Sequence, residues 1–132
     1  MIITTKMALI IILLSQNYNL MAESFGKVYS TTSKYDLCLK NSTNRYNYLE
    51  CMNEELKYQD KILNENYKKT MKSLQEFRKS KLIITQRAWI NYRDLKCTSY
   101  YHKESGLGGL EDQQSCLIQE TIKRADELDK LF

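Results

Sequence analysis

Proline is missing from all 132 residues, and no glycine occurs between Gly26 and Gly106. The two residues that most often interrupt helices are therefore absent from most of the chain, which excludes a turn-rich β fold and leaves helix as the main element. Histidine is scarce as well: His102 stands alone, and the four cysteines form no C-x-x-C pair. A zinc site is hard to assemble from these, and one histidine with four cysteines that are expected to pair supports no argument for a Ser-His-Asp or Cys-His set. No metal and no cofactor are expected. The longest apolar run, 7–14 (MALIIILL), falls short of the roughly 20 residues that cross a bilayer. The net charge of +4 is small and interspersed, so nucleic acid is not expected as a partner.

What is present begins with a leader. Lys6 is the first charge and Glu23 the next; between them lie the apolar run and Ala22, a small residue suited to cleavage. Residues 1–22 are expected to act as a cleaved secretory signal that sends the chain to the periplasm or outside the cell, leaving no membrane span. Removing them takes Lys6 from the 20 basic residues and none of the 16 acidic ones, so the net charge falls by one. All four cysteines lie beyond the leader, and an even count in a small exported domain implies two disulfides. Residues 23–33 are polar and read as a flexible segment ahead of a single domain, 34–132.

Within that domain the pattern is all-α. A short helix is expected over 34–40, stopped by Asn41-Ser42-Thr43-Asn44, whose side chains compete for backbone hydrogen bonds. A long helix should run from near Thr43 to about Arg78, with Met52, Leu56, Leu63, Tyr67, Met71, Leu74 and Phe77 spaced by threes and fours around one gap, Asp60. The basic run 78–81 (RKSK) reads as a solvated turn. A second helix over 82–101 should then complete an antiparallel hairpin, with Leu82, Ile83, Trp89, Tyr92 and Cys97 inward. Ser105, Gly106, Gly108 and Gly109 mark a loop. A third helix, 113–130, follows, capped by Glu111 or Asp112, with Leu117, Thr121, Arg124, Leu128 and Leu131 on its inner stripe.

Reversal around 78–81 sets residues whose numbers sum to about 157 side by side. Arg93 then lies beside Asn64 and within reach of Asp60, so an Asp60–Arg93 pair is expected, completed by Asn64 and Gln86. Tyr67, Trp89 and Tyr92 form the aromatic part of the core. The same register leaves Cys51 and Cys97 roughly 13 Å apart along the axis, beyond disulfide reach. The pairs Cys38–Cys51 and Cys97–Cys116, each flanking a turn between consecutive helices, are expected instead, each restricting the unfolded chain by roughly 3 kcal/mol.

Little here points to catalysis. An Asp60 beside Arg93 favours its charged form and is a poor acid or base at neutral pH. Glu54-Glu55 and Glu111-Asp112 are sequence neighbours that diverge on a helix, and read as solvated faces.

The order C…C…DxxLNxxY…L…QxxWxxYRDxxC…G…C…R…EL is carried by Cys38, Cys51, Asp60, Leu63, Asn64, Tyr67, Leu74, Gln86, Trp89, Tyr92, Arg93, Asp94, Cys97, Gly106, Cys116, Arg124, Glu127 and Leu128. It resembles the N-terminal domain family of LprI-type lysozyme inhibitors, over about 35–131. The resemblance implies a small exported helical domain with cysteines and no enzymatic activity. It also implies a protein partner, a lysozyme or other peptidoglycan hydrolase. The residues that carry it read as scaffold and do not locate an inhibitory surface. An envelope interaction or structural module with another partner is the alternative.

Blocking a wall-cleaving glycosidase calls for a protruding element that enters a groove and offers donors to its two carboxylates. Residues 100–110 fit best: Tyr100, Tyr101 and His102 supply rings and donors, Lys103 a cation, and Ser105, Gly106, Gly108 and Gly109 a narrow backbone tied at its base by a disulfide. Animal-type lysozymes are cationic, so a positive chain gains no long-range steering, and an acidic face around Glu50, Glu54 and Glu55 would have to offset that. A homo-oligomer, with a second copy covering the exposed end of the long helix, is compatible with this layout.

Overall fold

The computed structural model describes residues 30–131, and the expected leader and most of the expected flexible segment lie outside them. Four helices follow in order: α1 (Ser33–Lys40), α2 (Arg45–Ser73), α3 (Glu76–Thr98) and α4 (Gly106–Lys130). Among the described residues there is no strand. The all-α class and both disulfides, Cys38–Cys51 and Cys97–Cys116, are as expected.

Local chemistry sets the boundaries. The Thr32 hydroxyl accepts from the Tyr35 amide at the start of α1, and the Asn44 side chain accepts from the Asn47 amide at the start of α2. Thr32 belonged to the segment expected to be loose. It is instead anchored, donating from its amide and its hydroxyl to Glu55.

The long helix ends earlier than its charge pattern suggests. Leu74 and Gln75 are both extended, with ψ of 147° and 154°, and α3 starts at Glu76, so the chain reverses about one turn before 78–81. Leu74 is buried with Leu63, Leu82, Ala125 and Leu128. The Ser73 hydroxyl donates to the Thr70 carbonyl in the last turn of α2. An apolar residue dropped into the core, rather than a basic cluster, makes the turn. Phe77, expected inward, is consequently exposed on α3. The 29 residues of α2 span roughly 43 Å.

Helix α4 returns parallel to α2 and forms the main packing contact. The Asn66 side chain donates to the Ala125 carbonyl at 2.8 Å, and Thr70 to the Leu128 carbonyl at 2.8 Å. At the other end Arg45 lies 3.6 Å from Glu111. Helix α3 runs antiparallel to both. Two apolar clusters fill the interior. One, near the α2–α3 turn, is built on Leu63, Leu74, Leu82, Ala125 and Leu128, with Tyr67, Met71 and Trp89 against it. The other, built on Met52, Ile118 and Ile122, is joined by Tyr35 and Tyr48. On α4 the expected Thr121, Arg124 and Leu128 are buried, whereas Leu131 is exposed, and Ile118, Ile122 and Ala125 carry most of the apolar contact.

The glycines do not form a loop. Gly106 has a φ of +56° and opens α4, whose first turn holds Gly108 and Gly109. A Cβ on Gly109 would lie 1.9 Å from the Ser105 Oγ and 3.3 Å from the Tyr100 carbonyl oxygen. Glycine is needed there because the preceding turn folds back onto the helix.

Candidate functional site

The α3–α4 connection, α1, and the N-termini of α2 and α4 gather at one end of the bundle. Gly108 packs 3.6 Å from the Arg45 guanidinium by its would-be Cβ, and Arg45 approaches Glu111, which fixes that proximity.

The connection, 99–105, is ordered by its own hydrogen bonds. Tyr100 and Tyr101 donate from their amides to the Cys97 and Thr98 carbonyls, prolonging α3 by a turn. His102 and Ser105 then close on each other. The Ser105 hydroxyl donates to the His102 carbonyl at 2.7 Å and accepts from the His102 amide at 3.1 Å, while the Glu104 amide donates to the His102 Nδ1. Beneath this turn Cys97 is fully buried and bonded to Cys116. Tyr100, Tyr101, His102 and Lys103 are exposed on the rim of the turn. Of the expected recognition segment, 100–105 is therefore a hydrogen-bonded turn, while Gly106, Gly108 and Gly109 belong to a helix that follows it.

A groove between α1 and α2 lies at the same end, a cavity of about 290 Å³ lined by Tyr35, the Cys38–Cys51 disulfide, Glu54, Glu55 and Tyr58. Its floor overturns the reading of Glu55 as a solvated residue. Glu55 is 3% exposed and accepts from the Thr32 backbone amide (3.1 Å), the Thr32 hydroxyl (2.5 Å) and the Gln59 side-chain Nε2 (2.7 Å). Three donors satisfy a buried carboxylate that has no cation beside it. Burial, followed by the nearby Tyr48, Glu55 and Asp36, pushes the Tyr35 hydroxyl up to about 12. Glu54 faces outward, and a hydrogen bond from Lys57 holds its carboxyl below the usual range. The spacing Cys51, Glu55, Gln59, Leu63 marks one helical stripe and was the available signal for Glu55. What hid it is that its donor, Thr32, comes from a segment 23 residues away.

The expected polar network exists in a different form. Arg93 donates to Asp60 at 3.4 Å and to the Thr121 hydroxyl at 3.3 Å, but its closer partner is Asp94, at 2.9 Å from Nη2 and 3.0 Å from Nε. The Asp60 side chain is 42% exposed, so the pair sits at the edge of the core rather than inside it. Asn64 takes no part: it is exposed and donates to the Asp60 carbonyl of its own helix. Gln86 is buried as expected, and its partner is Arg124, whose Nε donates to the Gln86 Oε1 at 2.9 Å. Both guanidinium groups approach Trp89, at 5.1 Å for Arg93 and 5.9 Å for Arg124. Tyr67 and Trp89 pack on the core, but Tyr92, expected inward, faces out with the Lys96 ammonium over its ring.

Beside this network, Lys96 and Lys123 converge on Glu120, at 2.9 and 3.1 Å. Burial pushes the Glu120 carboxyl up, but the two lysine hydrogen bonds and charges outweigh it and leave it below the usual range. These groups tie α3 to α4. Glu54 and Glu55 line the α1–α2 groove together, but Glu55 is taken up by its three donors and Glu54 by Lys57. Among the described residues no cluster of three or more His, Cys, Asp or Glu could hold a metal ion, and no helix is long and apolar enough to cross a membrane.

No curated protein and no solved structure matches this chain. A family model does: that of the lysozyme inhibitor LprI, over residues 38–128. The match runs from the first cysteine to the last buried leucine of α4, and so includes both disulfides, the Trp89 network and the turn they support. The chain belongs to the LprI lysozyme-inhibitor family.

Proposed function

We propose that the protein is an exported, non-catalytic inhibitor that binds and blocks a lysozyme or related peptidoglycan hydrolase. Its binding surface is the end of the bundle that carries the 99–105 turn. The family match over 38–128 carries this reading, and the geometry supports the location. Tyr100 and Tyr101 are exposed on a turn tied by the Cys97–Cys116 disulfide, so rings able to bury large area pay little ordering entropy on docking. On the outer surface of the α1–α2 junction Glu50 offers a cationic enzyme opposite charge, while Glu54 beside it is held by Lys57 at 2.7 Å.

The test is a wall-lysis assay with residues 23–132, which contain the whole described fold, titrated against several lysozyme classes. The expected result is dose-dependent slowing of lysis by at least one class, weakened roughly tenfold or more by Tyr100→Ala/Tyr101→Ala with helix content unchanged. Lysis that continues unaltered at tens of micromolar (about 50 µM as an upper bound for a specific weak complex) contradicts the reading. Inhibition that survives the double substitution moves the site away from the turn.

A further inference from the structure

Helix α3 has two apolar faces. On a helical wheel Leu82, Gln86, Trp89, Arg93 and Cys97 lie on the side that meets α2 and α4. Phe77, Ile84, Ala88 and Leu95 fall within about 20° of one line on the opposite side. That outer line is uncovered: Phe77 is 63%, Ile84 64% and Leu95 66% exposed. Four apolar residues in register over roughly 27 Å of a single helix make a ridge rather than scattered surface side chains.

Basic groups predominate around the ridge, and the two carboxylates beside it, Glu76 and Asp94, are paired with Lys79 and Arg93. Lys81 flanks it on one side and Arg87 on the other, and among the described residues neither forms an ion pair. The Arg78 guanidinium lies over the Phe77 ring at 5.7 Å. The stretch 66–92 holds seven lysines and arginines and one carboxylate, Glu76, which is already paired with Lys79 at 3.2 Å. Near the α2–α3 turn Lys69 is met by Asp129 of α4 at 2.9 Å, so the basic excess that remains lies along outer α3, at Lys81 and Arg87.

We infer that the outer face of α3 docks on an anionic lipid surface, with Phe77, Ile84 and Leu95 entering the headgroup–acyl boundary and Lys81 and Arg87 meeting lipid phosphates. A convex apolar ridge between cations is the form of a helix that lies in a membrane interface. A second copy fits less well. Ridge-to-ridge packing would bring Lys81 and Arg87 of both copies into one dry contact whose neighbouring carboxylates, Glu76 and Asp94, are already engaged by Lys79 and Arg93. This surface is on a different face from the 99–105 turn, and its occupation is independent of hydrolase binding.

The test is sedimentation of residues 23–132 with vesicles of phosphatidylglycerol and phosphatidylethanolamine, against vesicles of phosphatidylcholine alone. The expected binding is roughly tenfold stronger on the anionic vesicles and falls as salt rises from about 0.05 to about 0.5 M. It should be lost in Phe77→Ser/Ile84→Ser/Leu95→Ser and, separately, in Lys81→Glu/Arg87→Glu, which alters no core residue and guards against an unfolded first variant. Four results overturn the inference: no binding to anionic vesicles, equal binding to both vesicle types, binding unchanged in the charge variant, or a dimer in solution that the serine variant dissociates. Capture of polyglutamate through Lys81 and Arg87 without vesicle binding would assign the face to an acidic polypeptide instead.

Discussion

The Arg124 Nε donates to the Gln86 Oε1 at 2.9 Å across the α3–α4 contact, with both residues more than nine-tenths buried. Arg124 also reaches Glu127 at 2.8 Å, while its Nη2 is buried without a hydrogen-bond partner among the described residues. A guanidinium held this way depends on each of its acceptors. Gln86→Leu is expected to cost about 2 to 3 kcal/mol, since it removes one acceptor from a buried charge. Adding Arg124→Met should recover much of that loss. Urea unfolding midpoints of the two single variants and the double variant measure both effects.

Asp60 behaves differently because its partner has a better one. Arg93 keeps Asp94 and Thr121 when Asp60 is neutralised, and the lost contact is 3.4 Å long and half in water. Asp60→Asn is therefore expected to cost less than about 1 kcal/mol. A loss of several kcal/mol in the same urea titration would mean that the pair is buried in solution.

How much could be read without coordinates differs by element. The missing prolines and glycines determine helix content, and cysteines that flank turns between consecutive helices permit only local pairs, so both were legible. The position of the hairpin was not. Arg78–Lys79–Ser80–Lys81 has the polarity of a loop, whereas the break depends on Leu74 being swallowed by side chains from α3 and α4. The Gly106–Gly109 stretch misled for a related reason. Glycine is as useful where a turn folds tightly onto a helix start as where a loop must bend, and only the neighbouring Ser105 and Tyr100 distinguish the two. Asp60 was visible as a polar gap in an apolar stripe, but the exposure of Asn64 and Tyr92 depends on where α4 lies, which local periodicity does not specify.

Gly109 offers a direct probe of the candidate site. A methyl group there meets the Ser105 Oγ at 1.9 Å and Cβ at 2.6 Å, so the 99–105 turn must shift to admit it. Gly109→Ala is expected to destabilise the fold by about 1 to 3 kcal/mol and to weaken hydrolase inhibition, despite alanine's higher helix propensity. Thermal unfolding and the lysis assay check the two effects. Gly108→Ala, which meets only the end of the Arg45 side chain at 3.6 Å, is the matched control and should leave inhibition unchanged without lowering stability.

The Glu120 cluster predicts an acid dependence. The folded-state pKa of Glu120 lies below its ordinary value of 4.5, so its stabilisation is present above that value and is lost as pH falls through the folded value. Lys96 is shifted up, first by its hydrogen bond to Glu120 and then by Tyr92, so its share persists through neutral pH and fades only at the alkaline end. Glu120→Gln should lower stability at pH 7 by roughly 1 kcal/mol, about 4 to 8 °C in Tm. The difference should close at the acid end of a series of melts. A gap that stays constant down to about pH 2 would remove Glu120 ionisation as the cause.

Amide hydrogen exchange on residues 23–132, with and without a bound lysozyme, tests the proposed mode of action most directly. Protection should appear in the 99–105 turn and at the adjoining α1–α2 junction, with the outer face of α3 unchanged. Protection confined to α3, or no protection anywhere at saturating enzyme, would contradict it.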